Sequence, residues 1–200
     1  MLIRSVETMT RGFAISVGRS SLIFWSFAVP GVLISIASAP DTIGLLGAGL
    51  ALVMVAIAVV DRRSFVIPDA LTAAGLGLAV VHAAAQEPDA MVHAVLLAAV
   101  RGAALASLFL IFRSVYARIR GRQGLGLGDV KLAGVAGAWL DWSLMPIAVE
   151  LAAVAALCAY ALRQAFLGRP ISVTNRVPFG LFFAPAIWAC WVLETTWLTP

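Results

Sequence analysis

The segment IGLLGAGLALVMVAIAVVDRR (residues 43–63) is uncharged as far as Val60 and then ends on an aspartate and two arginines. An apolar run of this length is about what an α-helix needs to cross the ~30 Å hydrocarbon core of a bilayer. Further apolar runs lie at about 21–38, 69–85, 90–112, 130–141, 144–163 and 177–196. The pattern predicts an all-α, polytopic bundle of about seven transmembrane helices.

The composition indicates a membrane protein and excludes several other classes. Of the 200 residues, 62% are hydrophobic and 12% are charged. A soluble domain is about half apolar and about a quarter charged, so this chain has too little polar material to cover a soluble globule. The sequence lacks the short alternating segments of a transmembrane β-barrel. It also lacks a basic stripe interleaved with aromatic residues, so nucleic acid is not expected as a partner.

The charges predict how the helices are oriented in the bilayer. If the N-terminus is cytoplasmic and seven spans alternate, every lysine and arginine except Arg101 falls on the cytoplasmic side. The acids on the opposite side are Asp41, Glu87, Asp89, Asp141 and Glu194. The positive-inside rule therefore predicts an N-in, C-out topology. We expect residues 1–42 to form a basic segment with an extra, uncleaved anchor span, and residues 43–200 to form a six-span core.

Two aspartates lie at the cytoplasmic ends of predicted spans and are candidates for catalysis. Asp61 closes the second span, and Asp129 opens the fifth. Two close carboxylates do not both ionise easily, so one pKa rises and the pair shares a proton near neutrality. One member can activate water while the protonated one hydrogen-bonds a carbonyl, which hydrolyses a peptide bond without a metal. The alternatives are a helix-dipole role for Asp129 and an ion pair between Asp61 and its flanking arginines.

The stretch GLGLGD (residues 124–129) places three glycines before the second aspartate. Glycine permits positive φ and the close approach of another backbone, at an entropic cost. These glycines would let an extended peptide lie against Asp129 with no side chain in the way. The alternative is a flexible loop before a helix.

Three motifs together resemble those of the type IV prepilin peptidases. GLGDVKL (126–132) is similar to the GxGD signature of that family, and VDRRSFVIPDALT (60–72) is similar to its first aspartate motif. VPFGLFFAPAIW (177–188) resembles its late IPFGPFLA segment, with Leu181 in place of the usual proline and a proline later, at Pro185. The motifs occur in the family's order, and the resemblance covers about 43–197.

The resemblance implies that Asp61 and Asp129 are the two catalytic aspartates. It implies substrate-binding or loop roles for other motif positions, namely Pro68, Asp69, Gly126, Gly128, Lys131, Pro178, Phe179 and Gly180. The implied substrates are prepilins or pseudopilins, which lose a short basic leader after a glycine, at the cytoplasmic face of the bacterial inner membrane.

The chain departs from the larger members of that family, which carry an insertion with paired CxxC motifs that is associated with N-methylation. Its two cysteines, Cys158 and Cys190, lie in apolar segments, and no CxxC occurs in the sequence. The chain is therefore similar to the compact form that processes Flp-type pilins. We expect no methyltransferase activity, and we expect neither a metal nor another cofactor.

Polar residues inside spans leave two other functions open. Arg101 lies in the middle of the fourth span, where an arginine is costly and usually faces protein or water. We predict that it pairs with Glu150, and a transporter that uses this pair is one alternative function. A non-catalytic scaffold for pilus assembly is the other.

Three further polar side chains carry predictions about their surroundings. Lys131, two residues after Asp129, either holds that aspartate ionised or contacts lipid phosphate. His82 and His93 lie near the outer ends of the third and fourth spans, and we expect both to be interfacial polar groups rather than metal ligands.

Overall fold

The computed structural model describes residues 21–39, 41–167 and 178–198, and within these ranges the regular structure is entirely helical. The seven helices of these ranges are α1 (Ser21–Ser38), α2 (Asp41–Ser64), α3 (Asp69–Gln86), α4 (Met91–Arg120), α5 (Leu127–Trp139), α6 (Leu144–Leu167) and α7 (Gly180–Leu193). A 3₁₀ turn (Pro88–Ala90) precedes α4, and a π-helical turn (Glu194–Leu198) follows α7. The predicted all-α class is confirmed. The basic segment 1–20 and the loop 168–177, which the charge pattern assigns to the cytoplasmic side, lie outside the described residues.

Four of the described helices are long and apolar enough to cross a membrane. They are α1, α2, α4 together with its preceding turn, and α6 as far as Phe166. The other three, α3, α5 and α7, have 18, 13 and 14 residues. With a rise of 1.5 Å per residue, α5 is about 20 Å long and shorter than the ~30 Å hydrocarbon core. The described part of the chain is thus a membrane-embedded bundle of seven helices, four of which meet the requirements of a span.

The short helix α5 lies at the centre of the bundle. Its residues Leu132, Ala133, Val135 and Ala136 have no exposed surface. It packs against α3, α4, α6 and α7, and a helix that is apolar on all sides is typical of such a buried position. This central position brings its first turn, which contains Asp129, among the ends of neighbouring helices.

Small residues let α4 and α5 touch through their backbones. A Cβ on Gly137 would lie 2.5 Å from the carbonyl oxygen of Arg101, and one on Gly102 would lie 2.8 Å from that of Gly134. Contacts this short leave no space for a side chain, and small residues at helix interfaces allow such an approach in membrane proteins. The contact fixes the offset of α4 along α5.

The same contact decides the partner of Arg101. Its Nη1 forms an ion pair of 2.7 Å with Oδ1 of Asp141, just beyond the end of α5, whereas Glu150 lies exposed on α6. The predicted pair of Arg101 with Glu150 is therefore wrong. The backbone of Arg101 lies against Gly137, so its side chain reaches the C-terminal end of α5 rather than α6. The transporter alternative loses the ion pair on which it was based.

His82 is a core residue rather than the interfacial group that the sequence predicts. It is 3% exposed, and its ring centroid lies 4.5 Å from that of Trp139. Its Nε2 accepts a hydrogen bond of 3.2 Å from the indole N–H of Trp191. The prediction is wrong because a buried tryptophan supplies the partner that a buried imidazole requires. His93, by contrast, lies exposed near the start of α4.

The first helix packs on the core although it precedes the region of family resemblance. The indole N–H of Trp188 in α7 donates a hydrogen bond of 2.9 Å to the hydroxyl of Ser35, which is fully buried. A Cβ on Gly31 would lie 3.2 Å from the Cβ of Ala51 in α2. These contacts place α1 beside both α2 and α7.

Candidate active site

One end of the bundle contains a cavity of about 300 Å³, formed by the end of α2, the loop after it and the starts of α3 and α5. The residues that line it are Asp61, Phe65, Val66, Ile67, Asp69, Gly126, Leu127, Gly128, Asp129 and Lys131. Both predicted catalytic aspartates are therefore in one cavity, although 68 positions separate Asp61 from Asp129 in the sequence.

The remaining predicted site residues support this cavity without lining it. Pro68 directly precedes α3, and its carbonyl oxygen accepts a hydrogen bond of 3.1 Å from the backbone N–H of Leu71. Pro178, Phe179 and Gly180 lie at the start of α7. The structure thus divides the predicted set into residues that face the cavity and residues that hold the helices around it.

Asp61 is held by the N-terminus of α7. The residue is 4% exposed, and its Oδ2 accepts a hydrogen bond of 3.0 Å from the backbone N–H of Leu181. The backbone N–H of Gly180 also hydrogen-bonds this carboxyl. Amides at a helix N-terminus favour a negative charge, and the ion pairs of the described residues do not include one between Asp61 and its flanking arginines. Arg62 and Arg63 are both exposed.

The contacts of Gly180 explain why a glycine follows Pro178 and Phe179 in the third motif. A Cβ at this position would lie 2.9 Å from Oδ2 of Asp61 and 2.9 Å from Cδ1 of Ile67. Phe179, just before it, packs its ring 5.2 Å from that of Phe183 and 6.4 Å from that of Phe109. The aromatic contacts anchor the start of α7, and the glycine lets its amides reach Asp61.

Asp129 is the third residue of α5 and caps its own helix. Its Oδ2 accepts a hydrogen bond of 3.1 Å from the backbone N–H of Gly126, an arrangement common for acids in a first helical turn. Burial raises the pKa of Asp129 to about 6, the Gly126 N–H opposes this rise, and the negative charge of Asp61 adds to it. The helix-terminus role is therefore real, and the carboxyl that fills it also lies close enough to Asp61 to feel its charge.

Ile67 is the site residue that the sequence reasoning did not single out. It is 5% exposed, and its side chain lies between two glycines. A Cβ on Gly128 would lie 3.0 Å from the Cβ of Ile67, and Gly180 lies against its Cδ1. Ile67 thus fills the space between the start of α5 and the start of α7. The sequence does contain a signal for this role, since an apolar isoleucine lies directly before Pro68 in the short segment between α2 and α3.

Lys131 has a partner that neither prediction named. Its Nζ forms an ion pair of 2.5 Å with Oδ1 of Asp69 across the cavity. The two side chains are 47% and 79% exposed, and such a surface pair contributes about 0–1 kcal/mol to stability. Asp69 and Lys131 therefore form a charged rim at the cavity mouth, and Lys131 does not hydrogen-bond Asp129.

The arrangement combines two carboxyls in different environments. The carboxyl of Asp61 accepts hydrogen bonds from the amides of α7, and that of Asp129 accepts one from Gly126 at the start of its own helix, where burial raises its pKa. Such a pair can remove a proton from water with one member and donate a hydrogen bond with the other. Within the described ranges, no cluster of three or more His, Cys, Asp or Glu residues could hold a metal ion. The fold and cavity therefore define an α-helical membrane protein with a pair of carboxyls at one end of its bundle.

Comparisons with known proteins identify the family. A model of the type IV leader peptidase family matches residues 48–161, more than half of the chain and including both aspartate motifs. The chain belongs to this family, which confirms the resemblance of its motifs. The third motif, at 177–188, lies beyond the matched region.

Individual relatives agree with this assignment. A prepilin leader peptidase/N-methyltransferase of Burkholderia pseudomallei is 34% identical over 146 residues, covering 72% of this chain and 45% of the relative. Leader peptidase HopD of Escherichia coli is 31% identical over 126 residues, covering 63% of this chain and 78% of the relative. The chain thus spans less than half the length of the Burkholderia relative. No solved structure matches it significantly.

Proposed function

We propose that this protein is a prepilin leader peptidase, an aspartic endopeptidase that removes the leader of type IV prepilins or pseudopilins. The single observation that carries the proposal is that Asp61 and Asp129 line the same cavity. Membership of the type IV leader peptidase family supports it. The name of the Burkholderia relative supplies the prepilin substrate class.

In the proposed mechanism the two aspartates have different roles. Asp61, which faces the amides of α7, is the ionised general base and takes a proton from water. Asp129 carries the shared proton and hydrogen-bonds the carbonyl oxygen of the scissile peptide. The hydroxide oxygen forms a bond to the carbonyl carbon, and the resulting intermediate loses the amine of the downstream segment, which receives a proton from the pair. Preorganised donors of this kind stabilise the charge that develops on the oxygen.

We propose that the substrate approaches this pair as an extended chain beside glycines. Gly126 and Gly128 line the cavity next to Asp129, so neither presents a side chain to an incoming backbone. The leader would enter from the polar end of the bundle, while the apolar segment that follows it stays in the bilayer. The exposed rim of Asp69 and Lys131 lies where charged residues of the leader would pass.

The orientation that we propose places this cavity at the cytoplasmic face of the bacterial inner membrane. If seven spans alternate, all lysines and arginines except Arg101 belong to segments on one side of the membrane. The positive-inside rule makes this the cytoplasmic side. Residues 1–42 then contribute the basic segment and the extra anchor, and residues 43–200 form the peptidase core. Asp129 precedes the apolar part of α5 at 130–139 and in this orientation lies on the cytoplasmic side.

We further propose that the protein cleaves small Flp-type pilins and does not methylate them. Its sequence contains no CxxC pair, which is the feature of the larger relatives associated with methyl transfer. The term N-methyltransferase in the name of the Burkholderia relative describes that protein, less than half of which this chain covers.

Co-expression with candidate prepilins tests the proposal. Leader removal, followed on gels, is expected with the wild type and to fall by about 10²- to 10⁴-fold in Asp61→Asn and in Asp129→Asn, because each removes a general acid or base. Asp89→Asn is the matched control, since it neutralises an exposed acid in the turn before α4. Undiminished cleavage in either dyad variant would contradict the mechanism. A wild type that cleaves no prepilin but is needed for pilus assembly would favour the scaffold alternative.

A further inference from the structure

A single peptide group connects Arg113 of α4 to Asp129 of α5. Nη1 of Arg113 donates a hydrogen bond of 3.0 Å to the carbonyl oxygen of Leu125. The N–H of the same peptide group belongs to Gly126, and it donates the hydrogen bond of 3.1 Å to Oδ2 of Asp129. Because a peptide group is planar, fixing its carbonyl also fixes the direction of its N–H. A charged donor on the carbonyl also polarises the group, which strengthens the hydrogen bond at its other end.

Arg113 is built into the loop that carries this peptide. Its Nη2 donates a second hydrogen bond, of 2.7 Å, to Oε1 of Gln123. The loop packs on the last turns of α4 at Gly124, where a Cβ would lie 2.5 Å from Cε1 of Tyr116. The guanidinium therefore holds the loop at two points, before and within the peptide that contacts Asp129.

The composition of this loop explains why it needs such a hold. Residues 121–126 include three glycines, and glycine has more backbone freedom to lose on ordering than any other residue. Without fixed contacts the Leu125–Gly126 peptide would adopt many orientations, and few of them aim its N–H at Asp129. The glycine content of the loop thus creates a need for an anchor elsewhere.

The other charged groups around Asp129 do not replace this contact. Asp61 faces it from α2 and repels its charge. Asp69 of α3 and Lys131 of α5 line the same cavity but pair with each other. The cation of Arg113, from α4, therefore acts on Asp129 through the peptide.

We propose that Arg113 is a positioning residue that fixes the Leu125–Gly126 peptide and thereby holds the carboxyl of Asp129 in its working orientation, an inference that rests on the catalytic role proposed for Asp129. Its loss should lower the rate of the chemical step more than substrate binding. The Gly126 N–H also opposes the rise in the pKa of Asp129 that burial causes. Loss of Arg113 should therefore raise this pKa further.

The test compares the purified full-length wild type with Arg113→Gln, Arg113→Lys and Arg118→Gln, using a prepilin that the wild type cleaves. Arg118→Gln is the control because it removes an exposed arginine from the same end of α4. Arg113→Gln is expected to lower kcat about tenfold, the size of one hydrogen bond to a charged group, with little change in KM. The pH above which the kcat of Arg113→Gln declines should also be higher than in the wild type. Arg113→Lys keeps the positive charge but loses the pair of guanidinium N–H donors. Its kcat should therefore lie between those of the wild type and Arg113→Gln.

A second readout does not depend on cleavage. Isotope-edited infrared titration of the aspartate carboxyls, with Asp129→Asn identifying the relevant band, should show Asp129 protonated to higher pH in Arg113→Gln than in Arg118→Gln. Equal titration and equal kcat in these two variants, with Asp129→Asn inactive, would overturn the positioning role and leave the proposed function intact. Cleavage by Asp129→Asn would instead overturn the proposed function. If Arg113→Gln does not fold, Arg113→Lys must show the same shift at smaller size, and no shift would refute the role.

Discussion

Replacing Leu181 by proline is the sharpest test of how Asp61 is held. The backbone N–H of Leu181 lies 3.0 Å from Oδ2 of Asp61, and proline has no N–H to donate. Proline is tolerated in the first turn of a helix, where amides have no partner within the helix. Gly180, which precedes it, has no Cβ to clash with the proline ring. The substitution therefore removes one hydrogen bond to the carboxylate while retaining α7.

The expected loss follows from the value of that hydrogen bond. A hydrogen bond to a charged group contributes about 1.5–3 kcal/mol, which corresponds to about a 10- to 150-fold lower rate if Asp61 must be ionised to act. The effect should be a reduction rather than a complete loss, because the Gly180 N–H remains. It also should not abolish activity because the related family segment has a proline at this position.

The assay is the initial rate of leader removal by purified protein at saturating prepilin concentration. Leu181→Ala is the matched control, since it shortens the side chain and keeps the N–H. Circular dichroism and the unfolding temperature in detergent establish that both variants fold. Equal rates for Leu181→Pro and Leu181→Ala, with Asp61→Asn inactive, would show that the α7 amide makes no contribution to catalysis.

Two further predictions concern pH and the distal end of the bundle. The pKa of Asp129 is raised to about 6, and the mechanism needs its proton. We therefore expect kcat/KM to fall about tenfold per pH unit above about pH 6. A profile that stays flat from about pH 5 to 8 would contradict this role. Arg101→Gln should lower the unfolding free energy by about 1 kcal/mol, because it breaks an ion pair with the half-exposed Asp141. It should leave kcat unchanged, because this pair lies near the end of α5 opposite to Asp129. A kcat clearly lower in Arg101→Gln than in the wild type would show that the two ends of α5 are coupled.

The sequence predicted the helices and the position of the aspartates well because these depend on local pattern. Apolar runs define where helices form, and the acids that end them are visible in the sequence itself. Asp61 and Asp129 were predicted to share one face of the membrane from charge counts alone. That they share a cavity required the packing of α2, α3 and α5.

The partners of individual side chains were not predictable in the same way. Arg101 was assigned to Glu150, but the contact between Gly137 and the Arg101 backbone directs it to Asp141. His82 was placed at an interface, but it is buried between Trp139 and Trp191. Both outcomes depend on how one helix is rotated and offset against another. Hydropathy defines neither quantity, so the helices were easier to predict than the contacts between them.

The shortness of α5 has a consequence for the supply of water to the reaction. A helix about 20 Å long cannot reach both surfaces of a ~30 Å hydrocarbon core, so at least one of its ends lies below the level of the lipid headgroups. Hydrolysis consumes a water molecule for every bond broken, and each water occupies about 30 Å³ in the liquid. The cavity of about 300 Å³ beside Asp129 has room for on the order of ten such molecules. If the proposed peptidase activity holds, this cavity is where the water for hydrolysis would be held beside Asp129.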